Sequence, residues 1–296
     1  MELLANTEKI NNRQGKKLSE MLADKKVKIK NGEIEKPNDL GFPTISKYYR
    51  GFKKNQIIIL GGRPNIGKTN VALNFVIKQI EKGKTVLWFD LEEQEDENLT
   101  RILTIIGQYP FKDRLESENL SEYEKKLLLK NYEAAEIKLA GMNLYYICKT
   151  SITLDEIENI TKSYGQVDLI VIDHLTKVKT EAKGSRYEKV TDVACNLRNT
   201  SAKLGGIPFL VLAQVNRAST EGKDKEPDIT DLKGSGEIEE NADVIILLHR
   251  KSYFDKDGEQ PDVEPIKIII GKNRGGKRGF ALLRWCAGLQ TISEFN

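Results

Sequence analysis

The chain is poor in the residues that build metal and disulfide frameworks. Among 296 residues it has three cysteines and two histidines. Cys148, Cys195 and Cys286 are odd in number, far apart, and form no Cys-x-x-Cys pair. That argues against a zinc site and against disulfides, and leads us to expect reduced, buried thiols in a cytosolic compartment. His174 and His249 have no partner at metal-ligand spacing, so structural roles are expected for both. No run of 18 apolar residues is present, which excludes a membrane-spanning helix. The N-terminus mixes acid and amide residues and has no apolar core of a signal peptide, so the expected location is cytoplasmic. Charge of one sign is also lacking: 47 Lys and Arg against 44 Asp and Glu leave a net +3. That balance does not by itself argue for a nucleic-acid partner; only local clustering would. There is no internal repeat and no low-complexity tract.

What is present is alternation. The hydrophobic fraction of 39% suffices for a sizeable core, and the mean hydropathy is −0.47. The length allows one large α/β domain with an appendage, or two small domains. Residues 1–39 stand apart, rich in Lys, Asn and Glu, with one short helical face at Leu18, Met21 and Leu22 and a break at Pro37-Asn38-Asp39. A helix this short is not stable alone in water, so it is a frayed tail or an arm that docks elsewhere. From residue 40 onward, strands are expected at 56–61, 85–90, 143–148, 168–173, 208–213, 243–248, 265–271 and 279–286. Helices are expected near 68–82, 94–107, 121–139, 153–164 and 186–204. Continuous apolar runs such as Leu169-Ile170-Val171-Ile172 belong in a sheet buried on both faces, and the alternation predicts a parallel, helix-flanked sheet. The last two strands lack an intervening helix, so antiparallel pairing is expected there. The polar stretch 217–236 reads as a loop.

The apolar run Ile57 to Leu60 breaks into Gly62-Arg63-Pro64-Asn65-Ile66-Gly67-Lys68-Thr69, and a helical pattern follows. This is the strand–loop–helix setting of a phosphate-binding loop. Glycines let backbone N–H groups curl around phosphate oxygens, and the helix N-terminus adds its positive dipole end. Lys68 is suited to the β/γ-phosphates and the Thr69 hydroxyl to Mg²⁺. The bland alternative is a Gly-rich turn with a solvated lysine.

Acids and amides at other strand ends complete the pattern. Asp173 closes the run from Asp168 and is the natural Mg²⁺ partner, with a strand-end turn residue as the alternative. Glu92 follows the strand Thr85 to Leu91 and would suit a general base acting on water; Asp90, Glu93 and Glu95 leave that choice open on spacing alone. Gln214, after the strand Pro208 to Ala213, is placed to touch a γ-phosphate or simply to cap the sheet edge. Near the C-terminus, Lys272, Arg274, Lys277 and Arg278 form four cations without an acid, either a solvated hairpin tip or a phosphate-seeking finger.

Taken together these motifs resemble the C-terminal ATPase domain of DnaB-type replicative helicases, over roughly residues 40–296. The phosphate loop with its Arg63-Pro64 pair is similar to that family's. Phe89-Asp90-Leu91-Glu92 resembles its acidic motif, which implies Glu92 as the base. Asp168 to Leu175 resembles its Mg²⁺ motif, with His174 where a tyrosine is usual. Ala213-Gln214-Val215-Asn216-Arg217 resembles its γ-phosphate sensor. Asp231 to Asp243, followed by Val244 to Arg250, aligns without gaps to the loop that in the family lines a central channel and contacts single-stranded DNA. The implied DNA-binding residues are Lys233, Gly234, Ser235 and Gly236, although Lys233-Gly234 stands where the family usually has Arg-Glu. Lys272-Asn273-Arg274-Gly275 resembles its Lys-x-Arg finger, which reaches a neighbouring subunit's ATP, so the resemblance implies catalytic parts for Lys272 and Arg274.

The resemblance implies a RecA-like α/β fold whose mainly parallel sheet ends in antiparallel C-terminal strands, preceded by a short helical arm. It divides the chain into an arm and linker, 1–39, carrying a subunit-docking helix, and an ATPase domain, 40–296. It further implies ATP and Mg²⁺ as cofactors, single-stranded DNA as partner, a homo-oligomer of six, and contacts with a primase and a loader. Because about forty residues precede the motor, a short phage- or mobile-element-type form is expected. The function expected is a ring-forming, ATP-driven DNA helicase. A recombinase-like or switch-type ATPase that does not unwind, and an assembly subunit without turnover, are the alternatives.

Overall fold

The computed structural model describes residues 17–33, 36–92, 95–215, 226–232, 235–254 and 261–295. It divides into two compact units, Met1–Pro37 and Asn38–Asn296. In the first, helix α1 (Leu18–Lys30) buries none of its residues, and Leu18, Met21 and Leu22 are all exposed.

In the second unit, a short helix α2 (Pro43–Ser46) precedes strand β1 (Ile57–Gly62) and helix α3 (Lys68–Ile80). Strand β2 (Val86–Asp90) and helices α4 (Glu95–Gly107), α5 (Phe111–Leu115) and α6 (Glu122–Leu139) follow. Then come β3 (Leu144–Cys148), the short β4 (Ile152–Thr153), α7 (Leu154–Ser163), β5 (Leu169–Asp173), the short β6 (Val178–Lys179) and α8 (Arg186–Lys203). The chain closes with β7 (Phe209–Gln214), α9 (Ser235–Asn241), β8 (Val244–Arg250), β9 (Val263–Asn273), β10 (Gly279–Cys286) and β11 (Thr291–Ser293).

Among the described residues, nine strands form one sheet in the order β11-β10-β9-β8-β1-β7-β5-β2-β3. From β8 to β3 neighbouring strands are parallel; from β8 to β11 they are antiparallel. The composition of each strand explains its place. β1, β2, β5 and β8 are buried at every residue, as continuous apolar runs must be when helices cover both faces. β10 alternates buried with exposed or half-buried residues along most of its length, the period of a strand with one wet face. One face of the sheet packs against α3 and α4 through Val71, Phe75, Ile102 and Ile106. The other packs against α7 and α8 through Ile157, Val193 and Leu197. Three helices start on reciprocal capping boxes, Ser121 with Glu124, Thr153 with Glu156, and Ser185 with Glu188, which satisfy N–H groups that the first turn leaves open.

The cysteines depart from expectation. Cys148 and Cys195 are exposed and Cys286 is half-buried. Cys148 ends β3, the outermost strand on its side, and in α8 the buried face is taken by Val193, Ala194 and Leu197 instead. Of the 217–236 loop, residues 217–225 and 233–234 lie outside the described residues; the remainder includes a tight turn at Ile229–Asp231 and the start of α9.

Candidate nucleotide site

Strand register assembles this site. Gly62 pairs with Gln214 across β1 and β7, Ile172 with Val211 across β5 and β7, and Asp173 with Asp90 across β5 and β2. The C-terminal ends of four adjacent parallel strands therefore stop at one edge, where ligands of open α/β sheets bind. A cleft of about 330 Å³ opens there, lined among others by Gly67, Lys68, Thr69, Glu92, Asp173 and Gln214. Sequence reading named all six.

The loop between β1 and α3 has the shape its residues dictate. Gly67 caps α3 at φ +102, in the left-handed region that penalises a side chain. A Cβ there would also lie 3.0 Å from the Trp285 indole, and one at Gly62 would lie 2.7 Å from Ile66 Cγ2. Ile66 is buried beneath the loop and Asn65 turns it with φ 58. From outside, the Tyr253 hydroxyl donates to the Pro64 carbonyl at 2.8 Å. Trp285 is itself covered by Arg250, 4.8 Å from its ring centroid, and Arg250 is paired to buried Glu264 at 3.2 Å.

Within the cleft, the Lys68 ammonium donates to the Arg63 carbonyl at 2.9 Å, and the Thr69 hydroxyl donates to Asp173 Oδ2 at 2.8 Å. The donor set fits a nucleotide with Mg²⁺. Two hard oxygens stand together at a helix N-terminus, beside a loop whose glycines leave room that a Cβ would fill. Among the described residues no cluster of three or more His, Cys, Asp or Glu could hold a metal alone. A cation completed by substrate phosphates and water is the arrangement that matches.

Register also separates Asp90 from Glu92. Asp90 is buried and both its oxygens are engaged: Oδ1 accepts from the Glu92 backbone N–H at 2.9 Å, and Oδ2 from Asn98 and the Tyr146 hydroxyl. Glu92 is the acid whose side chain, 52% exposed, reaches the cleft. Its Oε2 lies 3.5 Å from Nε2 of His174, a ring only 6% exposed. Burial lowers the His174 pKa below the ordinary histidine value, with the Glu92 charge working against that shift. Sequence reading missed three lining groups, Asn70, Arg101 and His174. Arg101, on α4, enters the cleft while bonded to Asn98 and Glu97. His174 gave no signal, because its role depends on a register that spacing does not reveal.

Lys272 and Arg274 are not brought to this cleft. Asn273 pairs with Val244, which pairs with Ile58, and the Arg274 N–H donates to the Asp243 carbonyl at 2.9 Å. The finger thus sits level with the start of β1, about 16 Å along the strand from Gly62 at ~3.3 Å per residue. Here Arg274 donates to the Glu240 carbonyl at the end of α9 and lies 3.6 Å from Asp243, while Lys272 donates to the Glu239 carbonyl. Loss of solvent lowers the Lys272 pKa, reinforced by the Arg274 charge. The same edge holds a recess of about 410 Å³ bordered by Lys47, Arg50, Lys53 and Lys277. Of the expected DNA contacts, Lys233 and Gly234 lie outside the described residues. Ser235 and Gly236 open α9.

Fold and loop together define a phosphate-loop domain of the RecA-like kind. The family model for the DnaB-like helicase C-terminal domain matches residues 39–294, and the chain belongs to that family. It is 29% identical over 263 residues to the replicative DNA helicase DnaC of Bacillus subtilis, covering 86% of this chain and 55% of that protein. It is 30% identical over 272 residues to the replicative DNA helicase DnaB of Mycoplasma genitalium, covering 86% and 56%. The chain thus spans little more than half the length of these relatives. Among solved structures, one described as an ATPase domain superposes with a TM-score of 0.81 at 22% identity, covering 96% of this chain and all of that one. A DnaB-like replicative helicase studied with primase gives 0.81 at 21%, covering 96% and 68%. Among the described residues no helix is long and apolar enough to cross a membrane.

Proposed function

We propose that this chain is the motor of a ring-forming DNA helicase that couples ATP hydrolysis to movement along single-stranded DNA. The observation that carries the reading is a division. The phosphate loop, the Thr69–Asp173 oxygen pair and Glu92 meet at one edge of the sheet, while Arg274 and Lys272 sit at the other. A single chain therefore cannot supply both to one nucleotide. Stacking copies head to tail, edge against edge, completes each site, and a head-to-tail interface closes into a ring; six copies is the number the family resemblance implies.

In that assembly Lys68 and the loop N–H groups bind the phosphates, and Thr69 and Asp173 hold Mg²⁺, which offsets phosphate charge. Glu92 takes a proton from the attacking water as its oxygen bonds to the γ-phosphorus and ADP departs. Gln214 stands beside the γ-phosphate position. Arg274, with Lys272, is presented to the neighbour's nucleotide, where a guanidinium stabilises charge on the transferring group. Lys233 to Gly236 track DNA phosphates in the channel, and the face of Leu18, Met21 and Leu22 docks on an adjacent subunit. Contacts with a primase and a loader complete the reading; a structural relative is described with primase. The test is unwinding of a forked duplex bearing a 5′ tail: strand release with ATP and none with Glu92→Gln supports the motor, whereas ATP turnover without release would overturn it.

A further inference from the structure

Glu92 is held at its backbone and loose at its tip. Its N–H is fixed to Asp90 Oδ1, and the Leu91 N–H donates to the Asp173 carbonyl at 2.7 Å. The carboxylate, half exposed, would sample several rotamers. A base that must meet one water in line cannot act from most of them. The buried His174 imidazole is the group positioned to restrict it. Nε2 lies 3.5 Å from Glu92 Oε2 and 3.4 Å from the Thr176 hydroxyl, and Nδ1 is buried without a hydrogen-bond partner among the described residues. A lone pair on Nε2 would face a carboxylate oxygen, so the proton belongs on Nε2, making it the donor that faces Glu92. The unpartnered Nδ1 follows: the ring is spent on its other nitrogen, at the cost of a buried acceptor left bare.

We propose that His174 is a positioning residue for Glu92, its Nε2–H holding the carboxylate toward the water that attacks the nucleotide. This rests on reading Glu92 as the base. Its assigned part is played through Glu92, the acid its Nε2 faces.

A double-mutant cycle on the full chain, with ATP turnover and binding of a fluorescent ATP analogue as readouts, tests it. His174→Phe keeps a buried ring and removes the donor; kcat should fall about 10- to 100-fold, with KM and analogue affinity within about 2-fold. His174→Gln restores a donor and should recover part of kcat. In a Glu92→Gln background, His174→Phe should change residual single-turnover hydrolysis less than about 2-fold, since a residue acting through Glu92 has nothing left to position. A kcat loss of equal size in both backgrounds, a parallel loss of analogue binding, or wild-type kcat in His174→Phe would overturn the proposal. If Glu92→Gln alone hydrolyses ATP at the wild-type rate, the base is misassigned and the proposal falls with it. That failure is told apart from the others because it appears before His174 is touched.

Discussion

Asp243→Ala should destabilise the domain, and its cost follows from three contacts. Asp243 Oδ2 accepts from the Ile57 backbone N–H at 2.9 Å at the very start of β1, and Ile57 is 1% exposed. Both carboxylate oxygens also accept from Arg198, at 2.9 and 3.0 Å, and Oδ1 lies 3.6 Å from Arg274. Truncation leaves a buried N–H without a partner, which costs about 1–3 kcal/mol. The Arg198 side chain is 38% exposed, so solvent replaces much of that pair and its loss adds only about 0–1 kcal/mol. The sum, about 1–4 kcal/mol, corresponds to a fall in Tm of about 2–16 °C at ~2–4 °C per kcal/mol for a domain of this size. Asp243→Asn keeps an acceptor for Ile57 and should lose markedly less. Calorimetry of the three proteins checks this. An Asp243→Ala Tm within about 1 °C of wild type would mean that the Ile57 N–H finds another partner and that no orphaned-donor cost applies.

Three further outcomes are expected. Lys68→Ala should weaken nucleotide binding and turnover together, because a charge-assisted phosphate contact is lost, whereas Glu92→Gln should still bind ATP while turnover drops about 100-fold or more; near-normal hydrolysis by Glu92→Gln would shift the base elsewhere. Single-stranded DNA binding, followed by anisotropy across a salt series, should weaken steeply and show little sequence preference; a salt-independent affinity would remove the 233–236 segment from consideration. Deleting residues 1–30 should move the assembly toward monomers in light scattering at micromolar protein, since burying each of three apolar side chains would contribute roughly 1.5–3 kcal/mol; an unchanged oligomer would refute docking by the arm.

Much of this was legible in the residues because the strongest signals were long or chemically constrained. Each of the eight expected strands lies within two residues of its observed limits, since runs such as Ile57 to Leu60 fit only a sheet covered on both faces. The elements passed over were too short to show a period: Pro43–Ser46, Phe111–Leu115, Ile152–Thr153, Val178–Lys179, Ser235–Asn241 and Thr291–Ser293. At the cleft, spacing nominated Lys68 and Thr69 after β1, Asp173 at the end of β5 and Gln214 at the end of β7. It left Asp90 and Glu92 level, because only strand pairing and the bonds from Asn98 and Tyr146 distinguish a buried anchor from an acid facing the cleft. His174 beside Glu92, Arg101 at the rim and Trp285 under Gly67 are contacts between residues far apart in sequence, and no local pattern encodes them. Cysteine burial failed for a related reason: a small apolar side chain is buried on average, yet the end of an outermost strand and the wet side of a helix are wet whatever stands there.

The claim that most needs testing is that one nucleotide site is built from two copies. Arg274→Ala and Glu92→Gln proteins, each shown to be folded, are mixed under conditions where subunits exchange, and ATP hydrolysis is measured in rings verified to contain both. Each variant alone has every interface broken. A mixed ring has some interfaces with Glu92 intact on one side and Arg274 intact on the other, so activity should partly return. Full activity of Arg274→Ala on its own, or no recovery in verified mixed rings, would contradict a shared site.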